Sequence, residues 1–222
     1  MNIGKFKKFV FNQLESSDII ASYIWHLKIH KKLWPGTWDL TSLVLKKTID
    51  ENLNDKFQVK EYLDIGCGHV ALFGRYIKKK YSSIKVTSSD LYENVCDCAK
   101  FNIEKNNLDI SLIQSDLFKD INQKYDLITA NLPYVSTKFK HNIPEDTVRF
   151  NSRYSGDKGT ELTEKFLKEA KNYLNPNGKI FLGVNCYYIP ENICLKLIKE
   201  YGYKLDKVIK KKFNTAVVFI IS

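Results

Sequence analysis

"VKEYLDIGCGHVALFGRYIKKK", residues 59–80, decides how the rest of the chain is read. Residues 59–66 predict a strand and residues 70–80 a helix, with Gly66 and Gly68 at the turn between them. Lacking a Cβ, glycine permits a tight turn and lets the backbone approach a ligand closely. A GxG turn is weak on its own, since a plain strand–helix connection uses the same residues. Its neighbours along the chain must decide.

Downstream, strands and helices alternate. "IKVTSSD" (84–90), "DISLIQSD" (109–116), "YDLITAN" (125–131) and "KIFLGVN" (179–185) predict strands. Helices are predicted over 92–105, over 159–174 with the turn "NPNG" closing it, and over 190–202. "YKLDKVIK" (203–210) and "TAVVFIIS" (215–222) form a closing pair of strands. Such alternation means a mostly parallel α/β sheet with helices on both faces. Upstream, Phe6, Val10, Leu14, Ile19, Tyr23 and Leu27 carry helical spacing over residues 5–33, with "ESSD" dividing them into two helices. "WPGTWD" (34–39) is a turn, and Asp39 or Thr41 can cap a helix reaching about Asn52. Residues 1–34 therefore read as an N-terminal helical extension and 35–222 as the main domain.

In sheets of this kind ligands bind outside the carboxyl ends of the strands. Four such ends carry polar groups. After Gly66 and Gly68, the second strand ends in Asp90, 22 residues beyond Gly68, placed to accept both hydroxyls of a ribose. The third ends in Asp116, where a carboxylate can accept from an adenine amino group. The fourth ends in Asn131, the start of Asn131-Leu132-Pro133-Tyr134. Each alone is an ordinary cap or turn residue; together they face one crevice. Asp64 precedes the glycines on the strand, where its carboxylate can meet a cation or fix the glycine loop by accepting its N–H groups.

Composition sets the bounds. With 222 residues and 44% hydrophobic content the chain can fill one large core. No apolar run approaches the roughly 18 residues of a membrane span, and no signal-peptide core is present. A cytoplasmic protein without a membrane partner is expected. Five cysteines without framework spacing fit that compartment. Cys96 and Cys98 form a CxC on a helix, with sulfurs expected to point apart, so no metal is expected. A net charge of +10 suggests an anionic partner such as RNA, but the lysines are dispersed.

The glycine turn, the acidic strand ends and the tetrapeptide resemble the class I S-adenosylmethionine-dependent methyltransferases over roughly residues 35–222. That resemblance implies a Rossmann-like seven-stranded sheet, mostly parallel with an antiparallel closing strand. It also implies an S-adenosylmethionine pocket made by Asp64, Gly66, Cys67, Gly68, Asp90, Leu91, Asp116, Leu117 and Asn131. Within the superfamily, "NLPY" is similar to the (Asn/Asp/Ser)-Pro-Pro-(Tyr/Phe/Trp) motif of the amino-nitrogen methylating branch. "VRFNSRYSGDKGTELTEKFLKEAKNYLNPNGKIFLGVN" (148–185) resembles the release-factor glutamine methyltransferases, and "PGTWDLTSLVL" (35–45) stands where they have a proline-containing segment. Two departures stand out. Leu132 replaces the first proline, a form similar to rRNA adenine dimethyltransferases. That family's bacterial members also carry a longer helical release-factor-binding domain ahead of the fold.

The tetrapeptide has a chemical reading of its own. An amide or adenine amino nitrogen is a poor nucleophile because its lone pair is delocalised. A site that methylates it must hold both N–H bonds, and two acceptors suffice: the Asn131 side-chain oxygen and the carbonyl of Leu132. Pro133 biases Leu132 toward an extended conformation and so directs that carbonyl. Tyr134 is expected to be exposed, offering its ring face and not its hydroxyl to a planar group. The expected function is N-methylation of a macromolecule: a protein glutamine first, as in a translation factor, and an RNA or DNA adenine second. A non-catalytic cofactor- or RNA-binding module is the competing class.

Overall fold

The computed structural model describes residues 13–14, 16–53, 57–139, 147–211 and 214–222. Helix α1 (Asp18–Trp25) starts from Ser17, whose hydroxyl accepts from the Ile20 N–H, and stops at His26 in the left-handed region. Helix α2 (Leu40–Asn52) is capped by Asp39 in a reciprocal box with Ser42. Then follow β1 (Glu61–Ile65), α3 (Leu72–Lys80), β2 (Lys85–Asp90), α4 (Glu93–Lys105), β3 (Ser111–Gln114) and β4 (Tyr125–Ala130). A short α5 (Val148–Asn151), α6 (Glu161–Ala170), β5 (Leu174–Asn185), α7 (Glu191–Glu200), β6 (Leu205–Lys210) and β7 (Ala216–Ile221) complete the order.

The strands make one sheet, ordered β3-β2-β1-β4-β5-β7-β6, parallel except that β7 runs antiparallel to both neighbours. The expected sheet, seven-stranded with its antiparallel closing strand, is what forms. The turn expected at "NPNG" lies inside β5. There Leu174 pairs with Tyr125 and Lys179 with Leu127, and Asn177 takes φ 64 in the irregularity between them.

Side chains of period two bury both faces. Leu63, Ile65, Ile128, Ile180, Leu182, Val217 and Phe219 share a core with Phe166 and Leu167 of α6 and Ile198 of α7. On the other face, Tyr62, Leu127, Phe181, Val218 and Ile220 pack with α1, α2 and α3. Because the chain moves outward through β1, β2 and β3 and returns beside β1 with β4, the order reverses between β1 and β4. A crevice opens at such a reversal, outside the strand ends.

The N-terminal stripe is not the one the helical spacing suggested, and Phe6 and Val10 lie outside the described residues. Ile19 and Tyr23 are exposed, while Ala21 and Trp25 are buried, with the Trp25 ring edge-on to Phe73 and Tyr76. Leu27 is buried beyond the helix end. From there the backbone crosses α3 and α4 as an extended segment that takes its hydrogen bonds from side chains. The Arg75 guanidinium donates to the Lys28 carbonyl at 2.6 Å. The Asn102 amide accepts from the His30 N–H at 2.9 Å and donates to the Lys31 carbonyl at 2.8 Å.

Candidate active site

Beyond β1 the chain turns through Gly66 at φ 66 and Gly68 at φ 67, a region that costs a side-chain-bearing residue energy. A Cβ on Gly66 would sit 2.9 Å from Leu132 Cδ2, whereas one on Gly68 would meet nothing within 4 Å. The first turn is thus in contact with the tetrapeptide on one side and open on the other. Cys67 is buried, and its N–H donates to the Ser89 carbonyl at 2.9 Å. Asp90 accepts from the Gly68 N–H at 3.0 Å through Oδ2 and from the Tyr92 N–H at 3.4 Å through Oδ1. A carboxylate offers about four acceptor positions, so further donors can be taken. Burial raises the Asp90 pKa and these N–H groups oppose the shift.

The Ser115 N–H donates to the Asp90 carbonyl at 2.8 Å, which joins the end of β3 to the same rim. Asp116 Oδ2 accepts from Lys165 Nζ at 2.6 Å, Leu117 is buried at φ 52, and Leu91 is exposed. The candidate residues from four strand ends therefore share one rim.

Asp64 has a different task from the one its position suggested. It is 2% exposed, and accepts from the Gly74 N–H at 3.0 Å and from the Thr129 hydroxyl at 3.3 Å. Helix α3 begins at Ala71 without a side-chain cap of its own, so Asp64 supplies the acceptor from the neighbouring strand. The glycine-loop amide expected to bond Asp64 bonds Asp90 instead. Burial raises the Asp64 pKa to about 7.

The tetrapeptide itself brings a correction. Tyr134 is 8% exposed, not an open face. Its hydroxyl donates to Asp39 Oδ2 at 3.0 Å and shares a hydrogen bond with the Thr41 hydroxyl at 3.0 Å. The cap of α2 lies across the ends of β4 and β5, with Thr41 Cγ2 2.8 Å from where a Gly183 Cβ would be, and covers the ring. Asn131 Nδ2 donates toward Asp39 Oδ1 at 3.5 Å and Ser42 Oγ at 3.4 Å. Asn131 Oδ1 is buried and has no hydrogen-bond partner among the described residues. Asp39 and Thr41, which sequence reading offered only as caps, and Ser42, which it did not single out, thus lie against the tetrapeptide; a contact across 92 positions leaves no local pattern.

The following loop folds back along the tetrapeptide. The Val135 N–H donates to the Arg153 carbonyl at 3.0 Å and the Ser155 N–H to the Val135 carbonyl at 2.9 Å. Gly159, at φ 80, lies so close that a Cβ would be 2.8 Å from the Tyr134 carbonyl oxygen. Here too only glycine fits. The Cys96 and Cys98 sulfurs part, one donating to the Asp90 carbonyl and the other accepting from the Asn102 amide.

A doubly wound sheet with this order, a glycine turn at the reversal and an acidic residue ending the second strand define the Rossmann-like fold of the class I methyltransferases. The chain belongs to the methyltransferase small domain family, whose model matches residues 35–205. It is 31% identical over 173 residues to the release factor glutamine methyltransferase of Streptococcus pneumoniae, covering 73% of this chain and 57% of that protein. It is 29% identical over 181 residues to a putative protein N5-glutamine methyltransferase of Methanocaldococcus jannaschii, covering 81% and 85%. Against the former, the chain therefore spans little more than half the relative's length. A methyltransferase structure from Pyrococcus furiosus superposes with TM-score 0.64 at 23% identity, covering 98% of this chain and 96% of that one. That likeness concerns the fold.

The cofactor of the class is S-adenosylmethionine, and the residues present fit it. The open side of Gly68 and the spare acceptor positions of Asp90 lie at the carboxyl ends of the adjacent strands β1 and β2.

Proposed function

We propose that this chain methylates the side-chain amide nitrogen of a glutamine in a protein of the translation apparatus. The observation that carries it is Asn131 Oδ1, a buried acceptor with no hydrogen-bond partner among the described residues. A buried polar atom left unpaired costs about 1–3 kcal/mol, a cost that a substrate N–H donor at this strand end would remove. The resemblance at residues 148–185 and the two glutamine methyltransferase relatives supply the rest of the support.

In this reading Gly66, Cys67, Gly68, Asp90, Leu91, Asp116 and Leu117 hold the cofactor, with Asp64 steadying the turn through α3. S-adenosylmethionine supplies an electrophilic methyl group on a sulfonium. Asn131 Oδ1 and the Leu132 carbonyl accept the two N–H bonds of the substrate amide, which turns its lone pair toward that methyl. Pro133 holds the Leu132 carbonyl in direction, and buried Tyr134 anchors the turn through its hydroxyl. The Leu132 side chain against Gly66 narrows the site and excludes water. Asn131 adds no charge that would draw a cationic substrate, and positioning is the main contribution. The catalytic unit is residues 35–222, and residues 16–34 of the preceding extension lie against it. A translation factor places this reaction in the cytoplasm.

The test incubates the purified protein with tritiated S-adenosylmethionine and unmethylated release factor, with total RNA in a parallel reaction. Label that survives nuclease, disappears with protease and maps to a glutamine supports the reading. Label in RNA alone would transfer the assignment to an adenine amino group.

A further inference from the structure

We infer that Asp39 is a positioning residue: its carboxylate sets which end of the Asn131 amide faces the methyl acceptor. The inference rests on the clamp proposed above, but the observations are independent of which macromolecule is methylated. Asp39 Oδ1 accepts from the Ser42 N–H at 2.7 Å and from the Ser42 hydroxyl at 2.8 Å, and that hydroxyl oxygen lies 3.4 Å from Asn131 Nδ2. Asp39 Oδ1 is itself 3.5 Å from Asn131 Nδ2, while Oδ2 holds the Tyr134 hydroxyl at 3.0 Å. One carboxylate therefore touches both ends of the tetrapeptide.

At 3.4 and 3.5 Å the two contacts to the amide are long, and as hydrogen bonds each is weak. The orientation is decided by the alternative. Rotating the amide by half a turn would set its oxygen against a carboxylate oxygen, with no donor between them except the Ser42 hydroxyl that the carboxylate already uses. It would also turn the NH₂ group toward the substrate, where an acceptor is needed. A negative charge at the helix cap thus holds the amide with its nitrogen inward and leaves Oδ1 as the acceptor.

A cap alone does not require this arrangement. Serine and aspartate serve about equally as N-caps, so Asp39→Ser keeps the helix start but is too short to reach Asn131 or Tyr134. That variant separates the two roles. It should melt no lower than Tyr134→Phe, which loses the same hydroxyl contact, and keep its affinity for S-adenosylhomocysteine within about threefold, while turnover falls at least about tenfold with little change in KM, the pattern of an interaction used in the transition state. Asp39→Asn, which retains one carbonyl oxygen facing Ser42 and Asn131, should recover part of the loss.

Two readouts keep the outcomes distinct. Turnover is measured with tritiated cofactor on release factor and on total RNA, so the class labelled reports the acceptor and the variant-to-wild-type ratio reports Asp39. Nitrogen–proton spectra of the protein with S-adenosylhomocysteine follow the Asn131 side-chain NH₂, which should exchange slowly with solvent in the wild type and faster in Asp39→Ser. That measurement needs no acceptor. An Asp39→Ser protein with unchanged turnover, or with an unchanged Asn131 NH₂ signal, would overturn the inference.

Discussion

Asn131 sits where β4 leaves the sheet, with its nitrogen against the α2 cap and its oxygen buried and without a partner among the described residues. Asn131→Ala should lower turnover by roughly 10²-fold while S-adenosylhomocysteine affinity stays within about tenfold, as when one positioned polar group is lost from a site. Full methyl transfer by that variant would return "NLPY" to a strand-ending turn. Tyr134 was the residue most changed by folding. A ring face open to substrate would make Tyr134→Phe mild. With the hydroxyl held by Asp39 and Thr41, the substitution instead leaves the buried Thr41 hydroxyl and the half-buried Asp39 carboxylate each one partner short. We therefore expect Tyr134→Phe to lower the unfolding free energy by about 1–3 kcal/mol, the usual penalty for an unmatched buried partner. Urea unfolding of the two proteins decides it, and equal midpoints would show that the hydroxyl is dispensable.

At the scale of the element, Asp64 ties β1 to α3 and β4 at one point. Its pKa is raised from 3.8 to about 7, chiefly by burial, with the Gly74 and Thr129 hydrogen bonds opposing the rise. Between those values the folded protein keeps a proton that the unfolded chain has released, so stability falls as pH rises through this window. Asp64→Asn preserves the acceptor for the Gly74 N–H and removes the titration. Unfolding free energies followed from about pH 4 to about pH 8 should decline less in the variant, by an amount of order 1–4 kcal/mol at the alkaline end. Parallel curves would mean that Asp64 is not a source of the pH dependence. The N-terminal segment invites a second test. Trp25 and Leu27 belong to the same buried cluster as α2 and α3, so deleting residues 1–30 removes core. Trp25→Ala should cost about 3–5 kcal/mol, as large-to-small core changes do. A stable deletion variant that binds cofactor but fails to methylate would instead identify the segment as a recognition element.

For the whole molecule, the charge of +10 is spread among many ion pairs and solvated lysines. Dispersed charge gives weak, salt-sensitive attraction to any polyanion. Retention of RNA measured by filter binding should vanish as salt approaches physiological strength, whereas methylation of a release factor should persist. Tight RNA binding that survives such salt would favour the adenine acceptor. Among the described residues no helix is long and apolar enough to cross a membrane.

Much of the architecture was legible from residues 59–80 outward. Strand–helix alternation forces a parallel sheet whatever the details of packing, and a glycine turn with polar groups at successive strand ends marks the crevice by topology alone. Local chemistry likewise offered Asp39 or Thr41 as the helix cap, and the structure uses Asp39. What folding added were pairings between distant segments. Nothing near Tyr134 in the chain says that its hydroxyl meets Asp39, 95 positions earlier. Nor does the motif after β1 say that Asp64 will cap α3 while Asp90 takes the glycine-loop amide. Those partners depend on which strands lie side by side and which helix crosses their ends, so they exist only when the chain is assembled. The Asn131 amide belongs to the same category: its residue type was readable, but its contact with the Asp39 carboxylate exists only once the fold brings the two together.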